Sequence, residues 1–227
     1  YAGITNDLLE HKKTSQPGIY GLFQDQANYP IKLIALRENL FKINVRFAEF
    51  GLDLDKANNF IGDRIDQTIN ILRSMDNVFS SGYVCRQELL LAARELLASL
   101  GEMHSAFNSA NILRNRGYDT TYVDLSGWDD SRQLTIDERI KNSFSHIDPF
   151  STICFATGYT KGTEGIMREF DRGYSEVTFS KVAVLLGASE AVIHKEYHLC
   201  SGDPLIMGEE NTKPVCNTNY DVADQLA

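Results

Sequence analysis

The sequence contains few cysteines, and their spacing gives no indication of a metal or redox motif. Cys85, Cys154, Cys200 and Cys216 lie far apart, and no two of them have the C-x-x-C spacing of a zinc ribbon or a redox pair. Widely spaced single cysteines are typical of proteins from a reducing compartment. We therefore expect reduced thiols and a cytoplasmic protein.

The sequence also lacks a long apolar run and an excess of positive charge. No stretch approaches the roughly 20 apolar residues that cross a bilayer, and no secretory or transit segment is visible. The 22 Lys and Arg residues face 31 Asp and Glu residues, which gives a formal net charge of −9. Because affinity for phosphate backbones comes from clustered Lys and Arg, we expect neither a membrane nor a nucleic-acid partner.

The composition is that of an ordinary globular protein. A chain of 227 residues, 43% of them hydrophobic, can bury a sizeable core in one large domain or in a domain with an elaboration. Such a composition is consistent with a monomer and with a homo-oligomer.

Apolar spacing predicts a mainly helical section at about residues 20–98. Leucine, isoleucine and phenylalanine recur three and four residues apart from about 31 to 75, which predicts two amphipathic helices joined by GLDLDKANN. A third helix is predicted from Arg86 to Ala98. The glycine of SLGE, residues 99–102, interrupts the pattern, so a further helix is predicted from Glu102 to a stop near Gly117.

Three segments predict strands that alternate with helices. They are YDTTYVDL after Gly117, STICFAT at 151–157 and AVIH at 191–194, with a helix between about Ser175 and Gly187 before the last. Such alternation favours an α/β fold with a mostly parallel sheet covered on both faces, a three-layer α/β/α sandwich. Ligands of such sheets bind beyond the carboxyl ends of the strands.

The stretch DRGYSEV, residues 171–177, has the features of an anion site. Ser175 is a good N-cap, and the free amides of a helix start attract negative charge. Arg172 adds a planar fork suited to a carboxylate. Glu176 would repel an anion unless the ligand also carries a cation, as an acidic amino acid does. The alternative is that Glu176 only favours the helix start and Arg172 forms a surface pair.

Three further segments have a functional and a plain interpretation. Glu102 either meets a ligand ammonium or is a first-turn acid after a helix break. The glycine-rich GYTKGTEG offers Lys161 and main-chain amides to phosphate, but it matches no established phosphate motif. His194 and His198 have a spacing that suits zinc only on a helix, and here it straddles a predicted strand end, so we expect no dedicated metal site.

Four motifs in chain order resemble the catalytic domain of aspartokinases, members of the amino acid kinase family. AGITN at 2–6 resembles A-G-x-T-N, and SLGE resembles S-x-G-E. DRGYSEVTFSKVA resembles L-G-R-G-G-S-D-Y-T-A, and AVIHKEYHLCSGDP resembles a nucleotide-side segment that ends in T-x-D-P. The resemblance spans nearly the whole chain, so residues 1–227 are interpreted as one catalytic domain with a helical elaboration.

The resemblance implies transfer of the ATP γ-phosphoryl group to the β-carboxylate of L-aspartate, the first step of aspartate-family amino acid biosynthesis. ATP and Mg²⁺ are the implied cofactors, with the metal held largely by phosphates and water. By the same resemblance Thr5, Glu102, Arg172, Ser175 and Glu176 bind the substrate. His194, Lys195, Cys200 and Asp203 fall on the segment that lines the nucleotide.

The sequence also departs from the family pattern. The family's K-x-G-G-[TS] and F-G-A-K segments, which carry its lysines, are absent, so we expect a fragment incomplete at both ends. Tyr174 replaces a glycine and Glu176 an aspartate, as in a divergent branch of the kind found with compatible-solute synthesis genes. Two alternatives stay open: a kinase of another amino acid such as glutamate, and a non-catalytic amino-acid-binding regulatory protein. Pathway and feedback regulation are undetermined.

Overall fold

The computed structural model describes residues 4–11, 15–170, 173–194, 200–202 and 204–215. The chain divides into two compact units, Tyr1–Ala188 and Ser189–Ala227. Within these described ranges, no helix combines the length and apolar character needed to cross a membrane.

Helices form the first half of the larger unit, and three long ones supply most of its core. The predicted apolar spacing is seen in Leu33 and Leu40 of the third helix and in Ile61 and Ile65 of the fourth, all fully buried. The third helix packs on the fourth, and the fourth packs on the fifth. The bounds are α1 Ile4–Leu8, α2 Ile19–Gln24, α3 Tyr29–Phe47, a 3-10 turn Ala48–Phe50, α4 Leu54–Ser81 and α5 Arg86–Asn115.

The connection between α3 and α4 is shorter than predicted. Asp53 caps α4, because its carboxylate accepts a hydrogen bond from the main-chain N–H of Lys56 at 3.1 Å. The helix therefore begins at Leu54, and most of the predicted connection GLDLDKANN lies inside it. Gly51, with a φ of +99°, makes the turn that separates the two helices.

The predicted helix break at Gly101 is wrong, because α5 is one helix of 30 residues that runs through Gly101 without interruption. A glycine inside a helix costs about 1 kcal/mol relative to alanine. Burial of neighbours such as Leu97, Leu100 and Met103, all fully buried, holds the helix together across this point. Gly101 is instead a contact point, since a Cβ there would lie 2.8 Å from Cγ2 of Ile4 in α1.

The sheet is small and parallel. Strands β1 Thr120–Val123 and β2 Ile153–Ala156 pair in register from Thr120 opposite Ile153 to Val123 opposite Ala156. The crossover between them contains α6, Ile136–Phe144, which begins with a capping box of Thr135 and Glu138. Two of the three predicted strands thus agree with the structure.

The predicted third strand at 191–194 is wrong. These four residues have no regular structure, and Val192 and Ile193 are about half exposed, so no strand among the described residues covers them. The part of the chain described by the structure therefore has a mixed α/β fold with a two-stranded parallel sheet. The three-layer sandwich stays a prediction.

The remaining elements follow the second strand. In the larger unit these are α7 Ile166–Phe170, which packs on α5, and α8 Tyr174–Leu185, which packs on α6 and α7. The smaller unit contains α9 Pro204–Met207, a 3-10 turn Glu209–Asn211 and an isolated antiparallel bridge between Cys200 and Pro214.

Candidate active site

The loops that follow the two strands are tied to each other at the carboxyl edge of the sheet. The hydroxyl of Thr157 accepts from the main-chain N–H of Leu125 at 3.0 Å and donates to the carbonyl of Tyr159 at 2.8 Å. The main-chain N–H of Lys161 donates back to the carbonyl of Leu125 at 2.9 Å. Both loops are therefore fixed where a parallel sheet binds its ligands.

Glu102 lies against the loop after β2. Its carboxylate accepts a hydrogen bond from the main-chain N–H of Gly158. A Cβ at position 158 would lie 2.5 Å from Glu102 Oε2, a distance that real side chains do not reach. Only glycine allows this approach of loop and carboxylate.

Helix α8 brings a second set of donors to the same carboxylate. The hydroxyl of Ser175 donates to Glu102 Oε1 at 2.9 Å, and the hydroxyl of the buried Tyr174 also hydrogen-bonds to Glu102. The predicted N-cap role of Ser175 is wrong, because the N-cap is Gly173 and Ser175 is the second helical residue. The hydroxyl of Ser175 is engaged with the carboxylate of Glu102, 73 residues away in the chain, a partner that local sequence does not reveal.

Burial dominates the electrostatics of Glu102. It raises the pKa of the carboxyl group above its ordinary value, and the negative charge of Glu176 in the first turn of α8 adds to the increase. The hydrogen bonds from Ser175, Gly158 and Tyr174 oppose the increase, since they favour the charged form. Hydrogen-bond donors thus surround the carboxylate of Glu102, and the charge of Glu176 repels it. An ammonium group bound between the two glutamates would relieve that repulsion.

Thr5 lies in α1, which packs on α5 at Gly101, one residue before Glu102. The side chain of Thr5 is half-buried. The structure therefore brings together Glu102, Ser175 and Glu176, and it places the helix of Thr5 beside the same turn of α5. Arg172 lies outside the described residues.

The residues predicted on the nucleotide side belong to the smaller unit. His194 is exposed, and Cys200 is half-buried in the bridge to Pro214. Lys195 and Asp203 lie outside the described residues, as does His198. No group of three or more His, Cys, Asp or Glu side chains able to hold a metal ion occurs within the described part of the chain.

Lys161 is directed at protein carbonyl groups. Its ammonium group donates to the carbonyl of Asp130 at 3.0 Å and contacts that of Gly127 at 3.4 Å. Desolvation by burial lowers the pKa of Lys161, and the nearby charge of Arg139 adds to the decrease. The side chain therefore braces the loop after β1.

A second tyrosine–glutamate pair, Tyr159 and Glu95, lies next to the pair formed by Tyr174 and Glu102, and sequence reasoning missed it. The hydroxyl of Tyr159 donates to Glu95 Oε2 at 2.6 Å, and burial is the main cause of the raised pKa values of both residues. The rings of Tyr159 and Tyr174 meet edge to face, with centroids 6.1 Å apart. Two half-buried glutamates, Glu95 and Glu102, are thus each hydrogen-bonded to one of two tyrosines whose rings are in contact.

The signal for this pair was present in the sequence. Glu95 and Glu102 are seven residues apart, which on a continuous helix places them on one face two turns apart. The predicted break at Gly101 removes that relationship. A helix drawn through Gly101 would have predicted both carboxylates on one face of α5.

One curated relative is similar to the chain along its whole length. The protein named aspartate kinase Ask_Ect of Stutzerimonas stutzeri (strain A1501) is 43% identical over 230 aligned residues, which cover 100% of this chain and 48% of the relative. The chain thus spans about half the length of that protein. No family model matches the chain, and no solved structure matches it. The resemblance to aspartokinases seen in the four motifs is confirmed by this relative.

Proposed function

Since the chain is homologous over its whole length to an aspartate kinase, we propose that its protein is an amino acid kinase that phosphorylates L-aspartate. A β-carboxylate oxygen of aspartate attacks the γ-phosphorus of ATP, the bond from that phosphorus to the β,γ-bridging oxygen breaks, and ADP leaves. The product is 4-phospho-L-aspartate, the first intermediate of aspartate-family amino acid biosynthesis.

The observation that carries the proposal is the convergence on Glu102. Three segments far apart in the sequence, those of Glu102, Gly158 and Ser175, meet within hydrogen-bonding distance. Two of these segments are ones that the motif resemblance assigns to the substrate. Glu102 supplies a desolvated negative charge for the substrate ammonium group, and the start of α8 supplies the positive end of a helix dipole for a substrate carboxylate.

ATP supplies the phosphoryl group, and Mg²⁺ neutralises the charge on its phosphates. We propose that the segment of His194, Lys195, Cys200 and Asp203 lines the nucleotide. Mg²⁺ prefers oxygen ligands, so the imidazole of His194 and the thiol of Cys200 fit the base and ribose better than the metal. The metal is therefore expected on phosphate oxygens and water, and the protein residues hold the nucleotide that carries it.

A hydroxamate assay on the full-length protein tests the reaction, because hydroxylamine traps an acyl phosphate. We expect product with ATP, Mg²⁺ and L-aspartate, little with L-glutamate and none without an amino acid. Greater activity on glutamate would replace the aspartate assignment with a kinase of that substrate. A folded full-length protein that binds aspartate and forms no hydroxamate would instead support the regulatory amino-acid-binding protein.

Arg172 is proposed to bind a substrate carboxylate with both arms of its guanidinium group. Charge-assisted hydrogen bonds contribute about 1.5 to 3 kcal/mol each, so Arg172→Ala should lower kcat/KM for aspartate by roughly a hundredfold or more. ATP affinity should change little. Arg172→Lys should restore only part of the loss, because an ammonium group cannot form two parallel bonds to a carboxylate. Normal aspartate kinetics in both variants would remove Arg172 from the site.

A further inference from the structure

We propose that a second cavity, separate from the Glu102 site, binds an α-amino acid with an apolar side chain. The cavity has a volume of about 390 Å³ and lies in the larger unit, between α4, α5 and the loops that follow β1 and β2. This volume is in the range of small-molecule sites. The proposal concerns a ligand other than the kinase substrate and does not depend on the proposed reaction.

One wall of the cavity is apolar and is built by two helices and an indole. Ile71 and Met75 lie one turn apart on α4, and Leu91, Ala92 and Leu96 follow the facing stripe of α5. Trp128, in the loop after β1, closes the wall, and its indole N–H is bonded to Gln67 Oε1. The wall therefore suits an aliphatic side chain and offers few polar partners.

The other end of the cavity holds a carboxylate and a guanidinium group next to each other. A Cβ on Gly165 would lie 3.1 Å from Arg168 Nη2 and 3.4 Å from Glu95 Oε1, so both groups approach the same point. Glu95 accepts from the hydroxyl of Tyr159 at 2.6 Å, from the main-chain N–H of Met167 at 2.9 Å and from the main-chain N–H of Arg168. A carboxylate has about four acceptor positions, so it can also accept from a ligand ammonium group.

Arg168 supplies the complementary charge for a ligand carboxylate. Its side chain is exposed at the rim of the cavity, and its charge acts on Glu95. The other cation of the lining, Lys161, is engaged with the carbonyl groups of Asp130 and Gly127. Glu88 lies seven residues before Glu95, at the outer end of the α5 stripe. Adjacent opposite charges at one end of an apolar wall match a zwitterion with an apolar side chain.

The cavity is distinct from the Glu102 site, although the two are neighbours. Tyr159 lines the cavity and hydrogen-bonds to Glu95, and Tyr174 lies behind it and hydrogen-bonds to Glu102. The apolar wall also disfavours aspartate, because a second carboxylate would be buried there without a partner.

Isothermal titration calorimetry on the full-length protein, without ATP or aspartate, tests this site. L-leucine is the probe, and isoamylamine and 4-methylpentanoate are its analogues without the carboxylate and without the ammonium group. We expect leucine to bind and each analogue to bind about tenfold or more weakly, since each loses one charge-assisted contact. Arg168→Ala should weaken leucine binding by a similar factor and leave isoamylamine unchanged, with Glu169→Ala as the neighbouring control.

A cavity-filling variant locates the bound probe. Ala92 is exposed on the cavity wall, so Ala92→Phe occupies the space without disturbing the buried core. It should abolish leucine binding, whereas Ala35→Phe, an equally exposed position in α3 outside this cavity, should not. Thermal unfolding of both variants checks that they fold. Absence of leucine binding to the wild-type protein, or unchanged binding to Ala92→Phe, would overturn the proposal. Equal binding of leucine and isoamylamine would overturn the role of Arg168.

Discussion

The charged form of Glu102 lowers the stability of the folded protein, and its proposed role in binding the substrate explains why this residue is present. Desolvation of its carboxyl group by burial and the nearby charge of Glu176 both raise its pKa. A raised pKa in the folded state means that the group's favourable contribution to stability is present at low pH. That contribution is lost as the pH rises through the folded-state pKa. At neutral pH the charged Glu102 therefore destabilises the fold, as is common for residues retained for binding.

Replacement of Glu102 by glutamine should separate stability from activity. Glu102→Gln keeps the shape and removes the charge, so the unfolding temperature should rise at pH 7, with a smaller difference near pH 4. The kcat/KM for aspartate should fall roughly a hundredfold, because the substrate ammonium group loses its ionic partner. Thermal unfolding at both pH values and the hydroxamate assay measure the two effects. The exposed Glu169→Gln is the control, and a lower unfolding temperature at pH 7 would contradict the argument.

Gly158 is expected to tolerate no side chain. In Gly158→Ala the new Cβ would lie 2.5 Å from Glu102 Oε2, so the carboxylate must move away from Ser175. We expect a loss of about 1 to 3 kcal/mol in the free energy of unfolding, together with a large loss of activity. Urea unfolding measures the first effect. In a Glu102→Ala background, which lacks that oxygen, the same substitution should cost much less, and an undiminished cost would place the clash elsewhere.

At the scale of elements, two glycines inside long helices have different roles. Gly62 in α4 has room for a methyl group, since a Cβ there would make an ordinary van der Waals contact of 3.5 Å with Cζ of Phe41. Gly101 in α5 faces Ile4, and a Cβ would lie 2.8 Å from Cγ2 of that residue. Helix propensity alone favours alanine at both sites, so only the packing of α1 distinguishes them.

This difference predicts opposite results for the same substitution. Gly62→Ala should stabilise the protein by about 0.5 to 1 kcal/mol. Gly101→Ala should destabilise it, because α1 must shift, and it should also raise the KM for aspartate through the displacement of Thr5. Urea unfolding and steady-state kinetics test both variants. If Gly101→Ala stabilises as much as Gly62→Ala does, α1 does not pack at this glycine.

At the scale of the whole molecule, a buried polar network joins the three long helices. Asn44 of α3 accepts at 2.8 Å from both His104 and Asn108 of α5, and it donates to Asn58 of α4 at 2.9 Å. His104 must carry its proton on Nε2 to donate to Asn44. Burial lowers the pKa of His104 to about 4, so the histidine in this network is neutral at neutral pH.

The protein should therefore lose stability in acid through His104. A depressed pKa contributes stability that is present above the unfolded value of 6.5 and is lost as the pH falls through about 4. The loss is on the order of 2 to 3 kcal/mol, at about 1.4 kcal/mol per pKa unit. Denaturant unfolding from pH 7 to pH 4 should show it. His104→Gln, which keeps a donor near the same place, should remove most of this slope.

The exposed His146→Gln is the control for this measurement and should follow the wild-type curve. If His104→Gln keeps the full wild-type dependence, the acid sensitivity arises in other groups.

The sequence by itself determined the long helices, the first two strands and the resemblance to aspartokinases. The spacing of apolar residues such as Leu33, Leu40, Ile61 and Ile65 predicts which helix face is buried, because each helix must bury one face. Glu102 and Ser175 were found because each lies in a segment that resembles a family motif.

Only the tertiary structure decided what depends on contacts between distant segments. Continuity of α5 through Gly101 depends on the burial of neighbours such as Leu97 and Leu100, and the orientation of Ser175 depends on a carboxylate 73 residues away. The exposed segment 191–194 has strand-forming residues, but no described strand lies beside it. Such residues favour a strand only when they pack against a neighbouring strand. The pairing of Glu95 with Tyr159 likewise arises only when α5 and the loop after β2 pack together.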